Sequence, residues 1–351
     1  MSFESTLQER VKAAAETGTA LSVQGNNTRS FYGRTTNGKT VSLADHQGVI
    51  DYTPSELVIS ARAGTRLSEL ESVLQQEGQM LAFEPAHFGE AATLGGTIAC
   101  AFSGPRRPYA GAARDFVLGA NCVSGTGEWL RFGGQVMKNV AGYDVSRTLT
   151  GSLGTLAILT DIHLRVLPIA ETELTLQLEC DAATALQTCN ALAARPLPLS
   201  AACHLDGRLL IRLSGMREGV QSAINDIGGD VLDDATAFWT QLREQQLPFF
   251  ADERPLWRIA VAPATAPLSL EGDTLLDWGG AQRWLKSDQP VATIRAITAA
   301  AGGHATLFRG GDHGGDVFQP LTAELLSLHQ RLKQAFDPAG ILNPGRMYRE
   351  L

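Results

Sequence analysis

Three glycine-rich segments carry residue types that can cradle an anion. Residues 24–29 (QGNNTR) place Gly25 among amide side chains (Gln24, Asn26, Asn27), a hydroxyl (Thr28) and a guanidinium (Arg29). Residues 93–97 (TLGGT) set Thr93 and Leu94 before Gly95 and Gly96, and run on to Gly104 and Arg106 in the segment FSGPRR. Residues 133–144 (GGQVMKNVAGYD) set Lys138 and Asn139 between Gly133, Gly134 and Gly142. Glycine lets backbone approach a ligand closely, and successive N–H groups in such loops bind pyrophosphate. Each segment alone also reads as an ordinary turn or as close glycine packing. A single anion needs donors that converge from several loops, and all three segments stand at expected strand ends.

One motif is a decoy. Residues 33–40 (GRTTNGKT) match the pattern GxxxxGK[ST] letter for letter. A phosphate-binding loop of that type needs a helix leaving the Lys-Ser/Thr pair. Here Val41, Ser42 and Leu43 are strand-like and are soon broken at Gly48. No GxGxxG is present, so the Rossmann fingerprint is missing too.

The elements that must hold the loops follow from periodicity. Phe3, Leu7, Val11 and Ala14 predict an opening helix stopped at Gly18. Short strands are expected at 20–23, 41–43, 49–52 and 57–61. A helix bearing Leu67, Leu70 and Leu74 follows, with Thr65 as its cap and Gly78 as its stop. Residues 116–132 read as a hairpin about the turn SGTGE. Residues 156–166 alternate apolar and polar positions up to Pro168, which predicts a strand. Beyond 168 the composition shifts toward Ala and Leu. Strands at 174–178, 199–205 and 208–213, the last two flanking Asp206-Gly207, helices at 181–194 and 220–227, and a strand from Trp257 give a β-α-β-β-α-β order, the ferredoxin-like arrangement. Leu321, Leu325, Leu328, Leu332 and Phe336 predict a last amphipathic helix.

Composition narrows the function. The chain has 351 residues and a formal net charge of −8, which argues against a nucleic-acid binder. Five cysteines with no CxxC pair suggest neither a disulfide framework nor an iron–sulfur site, and no three ligands suggest a metal. No stretch has the apolar length to span a bilayer. The expectation is a cytoplasmic protein, at most peripheral to the inner membrane through partner subunits.

In order and spacing, residues 23–28, 63–64, 93–96, 138–144, 151–155 and 343–345 resemble the FAD-binding domain of the vanillyl-alcohol oxidase (PCMH-type) flavoproteins. Within that family the segments GPRRP, FGG, QQLPFF, DWGG and GGHAT look like the second flavin-type subunit of bacterial glycolate oxidase. The resemblance implies an α+β fold: a PCMH-type FAD domain at 1–168, an α/β cap at 169–310, and a segment at 311–351 returning to the first domain. It implies that Gln24, Gly25, Asn26, Asn27, Thr28 and Arg29, with Thr93, Leu94, Gly95 and Gly96, serve the FAD pyrophosphate. Gly104 and Arg106 join this set. Lys138, Asn139 and Gly142 would line the flavin side, Gly154 and Ile158 would meet ribose and adenine by backbone, and Asn343 would close the site. No His lies in the first loop, so the FAD is expected to be non-covalent.

Oxidation of a 2-hydroxy acid needs a cation for the carboxylate and a base for the hydroxyl proton. His304, Arg309 and His313 are the candidates. The resemblance implies an FAD subunit of a glycolate-oxidising complex, acting on glycolate and extending to D-lactate. Its partners would be a larger FAD subunit and an iron–sulfur subunit. Alternatives are a structural subunit without redox-active flavin and a self-sufficient hydroxy-acid dehydrogenase.

Overall fold

The computed structural model describes residues 2–134, 144–233 and 235–351. In chain order the strands of the first half are β1 (Leu21–Gln24), β2 (Lys39–Ser42), β3 (Val49–Thr53), β4 (Val58–Arg62), β5 (Gln79–Met80), β6 (Val117–Ser124), β7 (Trp129–Gly133), β8 (Ala157–Arg165) and β9 (Leu167–Pro168). Strands β1 and β2 pair in parallel. A five-stranded antiparallel sheet runs in the order β3-β4-β8-β6-β7, and β5 pairs with β9.

The opening helix, Phe3–Thr17, is capped by the Ser2 side chain and ends at Gly18 in the left-handed region. Its buried Leu7, Val11 and Ala14 pack with Leu21, Val41, Ile158 and Leu342. Strand β8 is central and is buried along almost its whole length. The apolar/polar alternation of its sequence is therefore not an inside/outside pattern. Asp161 accepts from Asn121 Nδ2 at 2.9 Å and lies 3.3 Å from His46 Nε2, while His163 Nδ1 meets Ser60 Oγ at 2.8 Å. Partners on neighbouring elements take up most of their hydrogen-bonding capacity, while His163 Nε2 and Asn121 Oδ1 stay unpaired among the described residues.

Helix Leu67–Gln76 buries Leu67, Leu70 and Leu74 as expected, but Thr65 does not cap it. The Thr65 hydroxyl is held by the backbone of Gly48 instead. The decoy lysine, Lys39, opens β2 and is exposed, and no helix leaves it.

The second half is built on eight strands: β10 (Thr172–Glu179), β11 (Leu199–Leu205), β12 (Arg208–Gly215), β13 (Asp230–Val231), β14 (Leu256–Ala260), β15 (Asp273–Asp277), β16 (Gln282–Lys286) and β17 (His304–Arg309). They form one antiparallel sheet in the order β13-β10-β12-β11-β15-β16-β14-β17. The first four strands give the ferredoxin-like arrangement, with crossover helices Ala182–Ala193 and Arg217–Ile227. Its fourth strand is the short β13 and not the segment beginning at Trp257. The strand at Trp257, β14, starts a second unit with the mirrored order β15-β16-β14-β17, and His204 opposite Leu276 joins the two units. In this second unit helix Val291–Ala300 makes one crossover, whereas residues 261–272 make the other without a helix. Pro263 and Pro267 account for that difference.

Asp206 (φ 52) and Gly207 (φ 73) form the tight turn between β11 and β12. The last helix, Ala323–Phe336, is anchored through its C-terminal half. Leu332 and Phe336 pack on the first-half core, whereas Leu325 and Leu328 are exposed.

Candidate functional site

A cleft opens where β1 ends. Residues 22–30 form one wall, Thr93, Gly96, Ala99 and Cys100 a second, and Leu153, Asn343 and Arg346 a third, around a space of about 610 Å³. A second space of about 460 Å³ adjoins it, sharing Gly25, Thr93, Gly96 and Leu153 and continuing to Leu43, Ala63, Gly95, Gly154, Ala157 and Leu159. The cleft is therefore polar at one end and apolar at the other.

The first loop has an unusual hydrogen-bond state. Among the described residues, the amides of Gly25, Asn26, Asn27, Thr28 and Arg29 donate to no protein acceptor. Asn27 adopts φ 61, which turns successive N–H groups toward one side in the manner of an anion-binding nest. Asn26 Nδ2 fixes the loop by donating to Ala91 O at 3.0 Å. Arg29 is buried, its Nη2 donates to Ala86 O at 2.6 Å, and its buried Nε has no partner among the described residues. Burial pulls the pKa of Arg29 and of Arg346 down from the ordinary guanidinium range, so both cations favour a nearby anion.

Thr93 caps the helix Leu94–Cys100, its hydroxyl accepting from Gly96 N at 3.3 Å. A Cβ at Gly25 would stand 2.4 Å from that hydroxyl oxygen, so only glycine lets the two loops meet. A Cβ at Gly95 would likewise stand 2.8 Å from the Ala63 side chain. The amides of this second loop differ from the first. Leu94 N donates to Thr65 O and Gly95 N to Ala63 O, at 2.9 and 2.7 Å. They are not free for a pyrophosphate, and the Leu94 side chain lies in the core. The loop's contribution is close packing at the cleft floor.

The C-terminal segment closes the third wall. Asn343, buried, accepts from Val23 N at 2.8 Å through Oδ1 and donates to Leu153 O at 2.7 Å through Nδ2. Arg346 Nη2 donates to Tyr32 O at 2.7 Å and Ser30 O at 3.1 Å. Lys333 Nζ donates to Thr155 O and Leu342 O, both at 2.7 Å, and pairs with buried Asp337 at 2.8 Å. Sequence reasoning missed Arg346, Lys333 and Asp337. The position of Lys333 four residues before Asp337 on the last helix was the available signal.

The remaining expected residues divide between the cleft and other places. Gly154 (φ 69) lines the apolar end beside Asn343. Ile158 points into the opposite core, and its neighbours Ala157 and Leu159 line the cleft, as the two-residue period of β8 requires. Gly104 and Arg106 stand outside the cleft, at the seam between the two halves of the chain. Gly104 packs against the Glu84 backbone, and Arg106 pairs with Glu84 at 3.3 Å and Glu173 at 2.7 Å. Glu84 also accepts from Arg212 at 2.8 Å. Lys138, Asn139 and Gly142 lie outside the described residues.

His304, Arg309 and His313 do not converge. His304 and Arg309 are the two ends of β17, about 17 Å apart at the rise of a strand. Arg309 lies over the rings of Phe31 and Phe88, and His313 Nδ1 meets Gly33 O at 3.0 Å. Among the described residues no group of His, Cys, Asp or Glu side chains is placed to hold a metal ion, and no helix is long and apolar enough to cross a membrane.

Comparisons with known proteins agree with this geometry. Residues 3–133 match the family described as FAD binding domain, and residues 318–347 match the C-terminal domain of FAD linked oxidases. The chain is 48% identical to glycolate oxidase subunit GlcE of Escherichia coli (strain K12), over 99% of this chain and 98% of that protein. It is 25% identical to glycolate oxidase subunit GlcD of Bacillus subtilis (strain 168), over 89% of this chain and 80% of that one. The fold is similar to that of alkyldihydroxyacetonephosphate synthase, with a TM-score of 0.65, 17% identity, and coverage of 96% of this chain and 75% of that one.

Proposed function

The chain belongs to the PCMH-type FAD-linked oxidoreductases, together with glycolate oxidase subunit GlcE, and from that premise we propose that it is the FAD-binding subunit of a complex that oxidises glycolate to glyoxylate. The observation that carries the reading is the run of five amides at residues 25–29 that have no acceptor among the described residues, on a loop that Gly25 lets approach Thr93. The residues present fit the cofactor. The free amides and the buried, partnerless Nε of Arg29 suit a pyrophosphate, and the apolar end between Ala63, Ala157 and Leu159 suits a planar ring. Bound FAD supplies a two-electron acceptor for the hydride of a 2-hydroxy acid.

The chain's own residues bind and orient. Gly25 and Gly95 admit close backbone contact, Asn343 ties β1 to the loop at Leu153, and Lys333 with Asp337 holds the C-terminal return in place. No covalent tether is proposed, since the first loop holds no histidine or cysteine.

The partners in this reading are a larger FAD subunit and an iron–sulfur subunit, and any membrane association passes through them. The separation of His304, Arg309 and His313 favours a division of labour in which the larger subunit carries most of the oxidation of glycolate, and of D-lactate where it is a substrate. Purification of the complex followed by a flavin count per chain tests this. One FAD on this chain, with slow or no dye reduction by glycolate or D-lactate when it is isolated, is the expected result. A flavin-free chain in a fully active complex would leave a structural role. Rapid dye reduction by the isolated chain would make it a self-sufficient dehydrogenase.

A further inference from the structure

The last helix, Ala323–Phe336, carries Leu325, Leu328, Leu332 and Phe336 on one face, at intervals of three and four residues. Only the C-terminal half of that face is covered. Leu332 and Phe336 pack on the first-half core, whereas Leu325 is 46% exposed and Leu328 44%. Single exposed apolar side chains are ordinary on a protein surface. Two that prolong a packed stripe by two helical turns form a ridge of the kind a second helix covers.

A cavity opens beside this ridge. Leu332 of the last helix, Leu156, Met347, Arg114 and Arg147 stand around it, and about 460 Å³ is open to the centres of water-sized molecules, room for side chains of a partner. Its inner wall is the loop at residues 150–156. Ser152 of that loop also lines the apolar end of the cleft at β1, so one loop separates the two spaces.

The charged groups around the cavity are unequally spent. Lys333 Nζ is used on Thr155 O, Leu342 O and Asp337. Asp115 accepts from Ala112 N at 2.8 Å, and Arg147 pairs with Asp144 at 3.0 Å. Arg114 is exposed, and its guanidinium meets no acceptor among the described residues. On a chain of net charge −8, this rim sets an unspent cation beside an apolar ridge. Its complement is an apolar segment that carries a carboxylate.

We propose that a partner subunit docks on this face through an amphipathic helix, whose apolar side chains cover Leu325 and Leu328 and whose carboxylate pairs with Arg114. That a partner subunit exists rests on the functional reading above. The uncovered ridge, the cavity and the unspent guanidinium do not depend on it. A subunit held there stands behind the loop that lines the cofactor cleft.

Titration of the full FAD-loaded chain with the other subunits of the complex, purified without it, tests the assignment. Leu325→Glu with Leu328→Glu alters two exposed side chains away from the cleft. The isolated double variant is expected to keep its flavin content and melting temperature, and to bind the partner about a hundredfold more weakly. Leu325→Gln with Leu328→Gln makes the same comparison where the glutamate variant does not fold. Arg114→Glu is expected to weaken binding about tenfold and to flatten its dependence on salt, whereas Arg114→Lys should keep most of the affinity. Wild-type affinity in the leucine variants or in Arg114→Glu would overturn the proposal. So would a dimer of the wild-type chain that the leucine variants dissolve, which would give the face to a second copy. A wild-type chain that binds no other subunit would count instead against the complex itself.

Discussion

The cleft at the end of β1 and the seam between the two halves of the chain are built by opposite means. The cleft is mostly backbone: five amides with no acceptor among the described residues, glycines that admit neighbouring loops, and one asparagine whose two ends are spent on main-chain groups. The seam is side chain: Glu84, Arg106, Glu173 and Arg212 pair across it, Glu244 accepts from the amides of His87 and Phe88, and aromatic rings fill the rest. A backbone cradle commits its donors to a ligand. A side-chain seam commits them to each other and so fixes how the halves meet.

This contrast can be broken at either end. The largest effect is expected at Gly25. Gly25→Val drives a branched side chain into Thr93, and FAD affinity should fall about a hundredfold, near 2.7 kcal/mol, with far-ultraviolet circular dichroism unchanged. Asn343→Ala leaves the part-buried Val23 N and the buried Leu153 O without their partner. A loss of about 2–4 kcal/mol of stability in denaturant titration is expected, together with weaker flavin binding.

The seam responds to pH. The Asp277 carboxyl is raised to about 7 in the folded chain from an ordinary value of 3.8, so the unfolded chain ionises first. Stability should therefore fall as pH rises from about 4 to about 7, by up to about 1.4 kcal/mol per unit, and level off above that range. Burial is the main cause of this rise and Glu84 adds to it, while hydrogen bonds from Trp278 N and Gln282 oppose it. Thermal melts across this range should show the slope, and Asp277→Asn should flatten it. The smallest effect is expected at Arg106. Arg106→Gln should cost about 1 kcal/mol, because Arg212 still holds Glu84, and should leave flavin content untouched. A flavin loss in this variant would erase the distinction between cleft and seam.

The same difference explains what the sequence made legible. Contiguous loops announce themselves, so Gly25, the Asn-Asn pair and Thr93 could be read as a cradle before any fold was known. The strands of the first half could be read from their apolar runs, and the Asp206-Gly207 turn from its two residues. Side chains that meet over long separations leave no such mark. Glu84 and Arg212 are 128 positions apart, and Lys333 reaches Thr155 over 178. Arg106 resembles a cofactor ligand in the sequence because a glycine-rich neighbourhood looks alike whether it faces a ligand or another strand. The alternation in β8 reports only a period, and burial on both faces depends on what packs above and below. The mirrored second unit of the eight-stranded sheet was hidden because two prolines removed one of its helices.

The central claim is that this chain holds FAD in the cleft at β1 without a covalent bond. The direct measurement is the flavin content of the isolated full chain before and after acid precipitation. One FAD per chain, released entirely into the acid supernatant, is the predicted result. A colourless chain that takes up no added FAD, or flavin that stays with the precipitate, would contradict it.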